Sequence, residues 1–151
     1  IVNLTNLINL DLRFNSFTGQ IPSNIGNLTN LEFLFLNDND LSGQIPIDIG
    51  NLVNIGMIVL SNNNLTGEIP SEIGDLPNLY SLNISSNNLS GEIPVEICNM
   101  MENSHPLDYM IGVDGPVIAL VYNQFCPPYP ECISTFNADP NDAGQDISNC
   151  P

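Results

Sequence analysis

Apolar residues recur along this chain with a step of 24. Leu7, Leu31, Ile55 and Leu79 open the pattern; Leu10, Leu34, Ile58 and Leu82 follow, and then Leu12, Leu36, Leu60 and Ile84. Other positions keep the same step: Asn15, Asn39, Asn63 and Asn87; Phe17, Leu41, Leu65 and Leu89; Gly19, Gly43, Gly67 and Gly91. The pairs Ile21-Pro22, Ile45-Pro46, Ile69-Pro70 and Ile93-Pro94 come next. Ile25, Ile49, Ile73 and Ile97 follow them, and Leu28, Leu52, Leu76 and Met100 close the set. Self-similarity at a period of this length is the signature of a solenoid, in which each repeat is one turn of a coil.

The polar positions between the apolar ones predict the elements. In L-x-x-L-x-L the side chains of a short strand alternate, so positions 10 and 12 point inward while 11 and 13 are displayed. Coils then pair through these strands into a parallel sheet. The Asn that follows turns into the coil, where its amide can satisfy backbone groups of adjacent coils that are buried and otherwise unpaired. Gly19 and its equivalents suit a tight turn, and the prolines favour an extended path without sheet pairing on that side. No coil can bury its apolar side alone, so stability is a sum over coil-to-coil interfaces.

The pattern covers residues 1–100 and then breaks. Aligning Asn123 with the earlier Asn residues puts Ile118, Leu120 and Phe125 in inward slots and Ile133 over the next Ile. A divergent last repeat is therefore expected at 115–136. The insertion at 101–114, which contains His105, Pro106, Asp108 and Tyr109, reads as a loop. The polar tail 137–151 reads as a cap; within it Asp139-Pro140-Asn141-Asp142 begins like a calcium loop, but Ala143 and Cys150 stand where ligands are needed.

At L-x-x-N-x-L-x-G-x-I-P-x-x-I-G-x-L the chain resembles the plant-type leucine-rich repeat. That class includes receptor-kinase ectodomains, polygalacturonase-inhibiting proteins and similar secreted proteins of bacteria and protists. The resemblance implies an α/β repeat solenoid: a right-handed coil of about five turns, a parallel β-sheet on its concave face and a closed C-terminal cap. It implies fold more sharply than function, because one scaffold serves many ligands.

Chemistry narrows the function classes. Arg13 is the only Lys or Arg against seventeen carboxylates, for a net charge of -16. Nucleic acid and anionic membrane need cations to replace counterions, so neither is expected as a partner. No apolar run reaches transmembrane length, and the first residues lack the basic start of a signal peptide. One histidine, no lysine and serines mostly in turns give no convincing catalytic set, so no enzyme activity, cofactor or metal is expected.

Cys98, Cys126, Cys132 and Cys150 form an even set beside several glycosylation sequons, which reads as two disulfides in an oxidising, extracellular setting. Stacking brings Cys98, in slot 26 of its coil, near Cys132, in slot 24 of the next; Cys126 then pairs with Cys150. The rival connectivity joins Cys126 to Cys132, and a zinc site is disfavoured because no C-x-x-C pair occurs. The candidate glycosylation sites are Asn3, Asn27, Asn64, Asn83 and Asn88. Asn3 and Asn27 belong to the convex side, whereas sugar on Asn83 would obstruct the displayed strands.

The displayed positions carry Phe14, Phe33, Phe35, Met57, Val59, Tyr80 and Tyr122 among acids and amides. Apolar side chains on adjacent coils merge into one patch of the kind that anchors a protein or peptide partner. The main function expected is thus an extracellular binding module working through its concave sheet. The alternative is a self-assembling structural subunit, since the chain starts inside a repeat with no polar cap. Such an end either continues into further coils or is covered by another copy. An ice-binding face would need a regular Thr ladder, which these displayed columns lack.

Overall fold

The computed structural model describes residues 3–102, 117–135, 148 and 150. Each coil contributes two strands. In chain order they are β1 Asn9–Asp11, β2 Thr18–Gly19, β3 Phe33–Phe35, β4 Asp40–Gly43, β5 Met57–Val59, β6 Asn64–Gly67, β7 Ser81–Asn83, β8 Asn88–Glu92, β9 Val117–Ala119 and β10 Gln124–Cys126. The odd-numbered strands form one parallel five-stranded sheet in the order β1-β3-β5-β7-β9, and the even-numbered strands form a second, in the order β10-β8-β6-β4-β2.

The first sheet keeps the sequence period. Leu10 pairs with Leu34, Leu34 with Ile58, Ile58 with Leu82, and Leu82 with Ile118 across the insertion. The second sheet was not anticipated, because the Ile-Pro pairs led us to expect an extended, unpaired path on that side. Its strands lie just ahead of the prolines and end near the turn glycines, which take positive φ from 75° to 86°. After each proline comes a 3-10 helix, at Ser23–Asn27, Ile47–Asn51, Ser71–Ile73, Val95–Glu102 and Glu131–Thr135. Proline enters such a turn without loss, since the first N–H of a helix has no internal partner.

The space between the two sheets and the 3-10 row is filled by the repeating apolar side chains. Leu34, Ile58, Leu82, Leu60, Ile84, Leu65, Leu89 and Phe125 have no exposed surface. The interior amides seal the coil junctions. Asn63 donates through Nδ2 to the carbonyls of Leu36, Leu60 and Ser61 at 3.1, 3.0 and 3.3 Å, and its Oδ1 accepts from the Leu41 N–H at 3.0 Å. Asn39, Asn87 and Asn123 make the same four contacts in their own coils. Asn15 differs from its expected role. It is exposed, and its side-chain amide donates only to the carbonyls of Leu12 and Arg13 in its own coil.

A second amide row, unnoticed in the sequence, runs along the outside: Asn30, Asn54 and Asn78 each donate at 2.8 Å to a carbonyl of the preceding coil, those of Thr5, Thr29 and Val53.

Glycine and cysteine solve one packing problem in two ways. Gly26, Gly50 and Gly74 occupy slot 26, and a Cβ on any of them would lie 2.2–2.5 Å from Asp48, Glu72 or Glu96, the slot-24 residue of the next coil. At the last junction slot 26 is Cys98 and slot 24 is Cys132, and the close approach becomes a disulfide with Cα atoms 5.7 Å apart. The other disulfide joins Cys126 to Cys150. The rival pairing of Cys126 with Cys132 is thereby set aside. Of the insertion expected at 101–114, residues 101 and 102 end the fourth 3-10 helix, while the rest, with His105, Pro106, Asp108 and Tyr109, lies outside the described residues, as does the candidate calcium turn at 139–144.

Candidate functional site

On the first sheet the parallel register sets two displayed columns side by side. One runs Asn9, Phe33 and Met57 to the buried Ser81, whose backbone pairs with Val117; the other runs Asp11, Phe35, Val59, Asn83 and Ala119. Phe33, Phe35, Met57 and Val59 thus form a square at the middle of the face. All four are half-buried while Leu34 and Ile58 between them are fully buried, as alternation along a strand requires. The Phe33 and Phe35 rings are nearly parallel, 11° apart in plane, with centroids separated by 6.3 Å.

Charge gathers at the margin of this square. The Arg13 guanidinium lies 4.9 Å from the Phe35 ring centroid and reaches Asp11 at 2.9 Å, so the chain's one Lys or Arg is held between an aromatic face and a carboxylate. Glu32 is exposed beside Phe33. Asp38 is half-buried and accepts from amides: Asn37 Nδ2 reaches its Oδ2 at 2.6 Å and Asn62 Nδ2 its Oδ1 at 2.9 Å. Ile8, 54% exposed, extends the apolar surface past Phe33, whose N–H donates to the Ile8 carbonyl.

Other candidate residues lie elsewhere. Tyr80 is only 4% exposed, which corrects its expected place on the displayed surface. Its neighbour in the preceding coil is Gly56, and a Cβ there would come within 2.6 Å of the Tyr80 ring, so the ring lies down into the space that a side chain would have filled. Ser61 and Ser81, also in displayed slots, are buried as well. Phe14 and Tyr122 are the reverse case, 73% and 60% exposed. They sit in the first and fifth coils, in a slot where every coil has φ near 55°, occupied elsewhere by Asp38, Asn62 and Ser86.

The candidate glycosylation sites divide among faces. Asn3 and Asn27 are exposed near the 3-10 row, and Asn64 and Asn88 are exposed on the second sheet. Asn83 is half-buried on the first sheet, where its Oδ1 accepts from the N–H and hydroxyl of Ser85, the residue that completes its sequon. The second sheet also carries Thr18, Ser42, Thr66 and Ser90 in successive coils, one hydroxyl residue per coil with the strand register offset between them, on a surface that sequence reading left unassigned. Among the described residues no group of three or more His, Cys, Asp or Glu is placed to hold a metal, and no helix is long and apolar enough to cross a membrane.

Two parallel sheets, a 3-10 back and an amide-stitched core define a repeat solenoid that displays a face. The chain belongs to the leucine-rich repeat family, whose model matches residues 6–28, 30–52, 54–76 and 78–100. No curated protein matches its sequence. Among solved structures, it is similar to the ectodomain of the Arabidopsis receptor kinase HAESA in complex with an extended IDA peptide hormone. There the identity is 33% and the TM-score 0.75, over 91% of this chain and 21% of that one. A chain of the BIR3–SERK2 complex from Arabidopsis thaliana is 28% identical with a TM-score of 0.76, over 92% and 68%. A plant ice-binding protein is 31% identical with a TM-score of 0.75, over 90% and 40%. The chain therefore spans only about a fifth of the length of the HAESA ectodomain.

Proposed function

We propose that this chain is an extracellular recognition module that binds a protein or peptide partner on its first sheet, through Phe33, Phe35, Met57 and Val59. The observation that carries this reading is the square itself, four apolar side chains in register on a face where alternation would ordinarily place polar ones. The peptide complex of the HAESA ectodomain supports the class of partner, and the two disulfides support an extracellular setting. Phe14 and Tyr122 would add contacts at either end of the face, and Tyr80 would support the sheet from within. Substituting Phe33→Ala together with Phe35→Ala should abolish co-purification of the native partner while the thermal unfolding curve of the chain stays cooperative. Retained capture by the double variant counts against this site.

A second reading is favoured by the hydroxyl residues of the second sheet: Thr or Ser recurring once per coil, at a constant offset, suits a periodic solid such as ice. The relative that binds ice lends this reading support. Thermal hysteresis measured on unglycosylated chain, lost in a Thr66→Lys variant, is its expected signature. Absence of hysteresis in the parent chain removes it.

A further inference from the structure

The partner's chemistry can be read from how the site treats its own arginine. Arg13 rests its guanidinium on one ring of the stacked pair and completes the contact with a carboxylate, Asp11. The second ring, Phe33, lies nearly parallel to the first and has the exposed carboxylate of Glu32 next to it in the chain. On the other margin Asp38 is fixed by two neutral amides, so its orientation is set while its charge is matched by no cation among the described residues. Both halves of the Arg13 arrangement, aromatic ring and carboxylate, are thus present again with no guanidinium of this chain to join them.

We infer that the face of the first sheet recognises an extended basic peptide segment that places an arginine guanidinium on Phe33, paired with Glu32, sets a second cationic group toward Asp38, and lays an adjacent apolar side chain over Met57 and Val59. The inference rests on the binding face proposed above and adds the sign and type of the partner. Charge complementarity supports it at long range, because a chain of net charge -16 draws a cationic segment and repels an acidic one. Arginine is favoured over lysine because its planar guanidinium can stack on a ring while donating to a carboxylate.

The test uses the disulfide-bonded chain and three fluorescently labelled synthetic peptides of equal length, alternating Leu with Arg, with Ser or with Glu, and reads anisotropy at low and moderate salt. The Leu/Arg peptide should bind at least about tenfold more tightly than the Leu/Ser peptide, with the difference shrinking as salt rises, and the Leu/Glu peptide should bind least. Glu32→Gln with Asp38→Asn should weaken the Leu/Arg peptide about fivefold or more. Glu68→Gln with Glu92→Gln removes the same charge from residues that follow the second sheet's turn glycines, and should change its affinity by less than about twofold. Equal weakening by the two pairs would mean that binding follows net charge alone and overturns the inference. If the Leu/Ser peptide binds as tightly as the Leu/Arg peptide and still depends on Phe33 and Phe35, the arginine preference fails while the binding face stands. If no peptide responds to Phe33→Ala with Phe35→Ala, the face itself is wrong.

Discussion

The first and third coils share one pattern of residues and end in different physical states. In the third coil Leu60 and Leu65 are fully buried and Asn63 makes contacts with both its own coil and the one before. In the first coil the equivalent Leu12 is half-buried, Phe17 is exposed, and the Asn15 side chain bonds only within its own coil. Side-chain identity therefore sets the direction in which a residue points, while the neighbouring coil sets how much that placement stabilises. The largest consequence concerns apolar truncation. Leu60→Ala should cost about 3–4 kcal/mol and Leu12→Ala about 1 kcal/mol, because only the former opens a cavity enclosed on all sides. Urea unfolding followed by circular dichroism checks both, and equal losses would dissolve the distinction.

A smaller contrast is expected at the amides. Asn63→Ala removes the acceptor for the buried Leu41 N–H and leaves each of the Leu36 and Leu60 carbonyls with one fewer donor. Each carbonyl keeps a second Asn donor, from Asn39 and Asn87 respectively, so the stranded N–H dominates. The expected loss is about 2–3 kcal/mol, against less than about 1 kcal/mol for Asn15→Ala, whose partners are exposed to water. Hydrogen exchange at the Leu41 amide sharpens this test, since its protection should fall in Asn63→Ala and stay unchanged in Asn15→Ala.

The same contrast explains what could be read in advance. The first sheet and the inward amides were legible because each obeys a rule local to one coil and repeats with the full period of 24. The second sheet was obscured because its strands are only two to five residues long and their backbone pairing is staggered, with Ser42 opposite Asn64 and Thr66 opposite Asn88. Tyr80 was misplaced for a different reason. Its burial depends on Gly56 one coil earlier, and that information lies between columns and not along either. The outer row of Asn30, Asn54 and Asn78 was present as a repeat, but an exposed Asn looks like ordinary surface until its partner carbonyl is located. Within the candidate site the apolar square was legible from alternation alone. The stacking of Arg13 on Phe35 was not, because it joins neighbouring coils through flexible side chains.

The smallest effect separates a coil's backbone requirement from its neighbour's support. The slot held by Phe14, Asp38, Asn62, Ser86 and Tyr122 has φ near 55° in every coil, a region that suits Asn and Asp and penalises bulky side chains. Asn62 fits that backbone and adds a hydrogen bond to Asp38. Phe14 carries the strain and projects most of its ring into solvent, so little packing offsets it. Phe14→Asn should raise stability by about 0.5–1 kcal/mol, and Asn62→Phe should lower it by at least that much. Paired thermal melts of the two variants decide the point. If Phe14→Asn is destabilising, the ring makes contacts that its exposure conceals. If the variant is more stable but binds the partner less well, the strain in the first coil is retained for recognition.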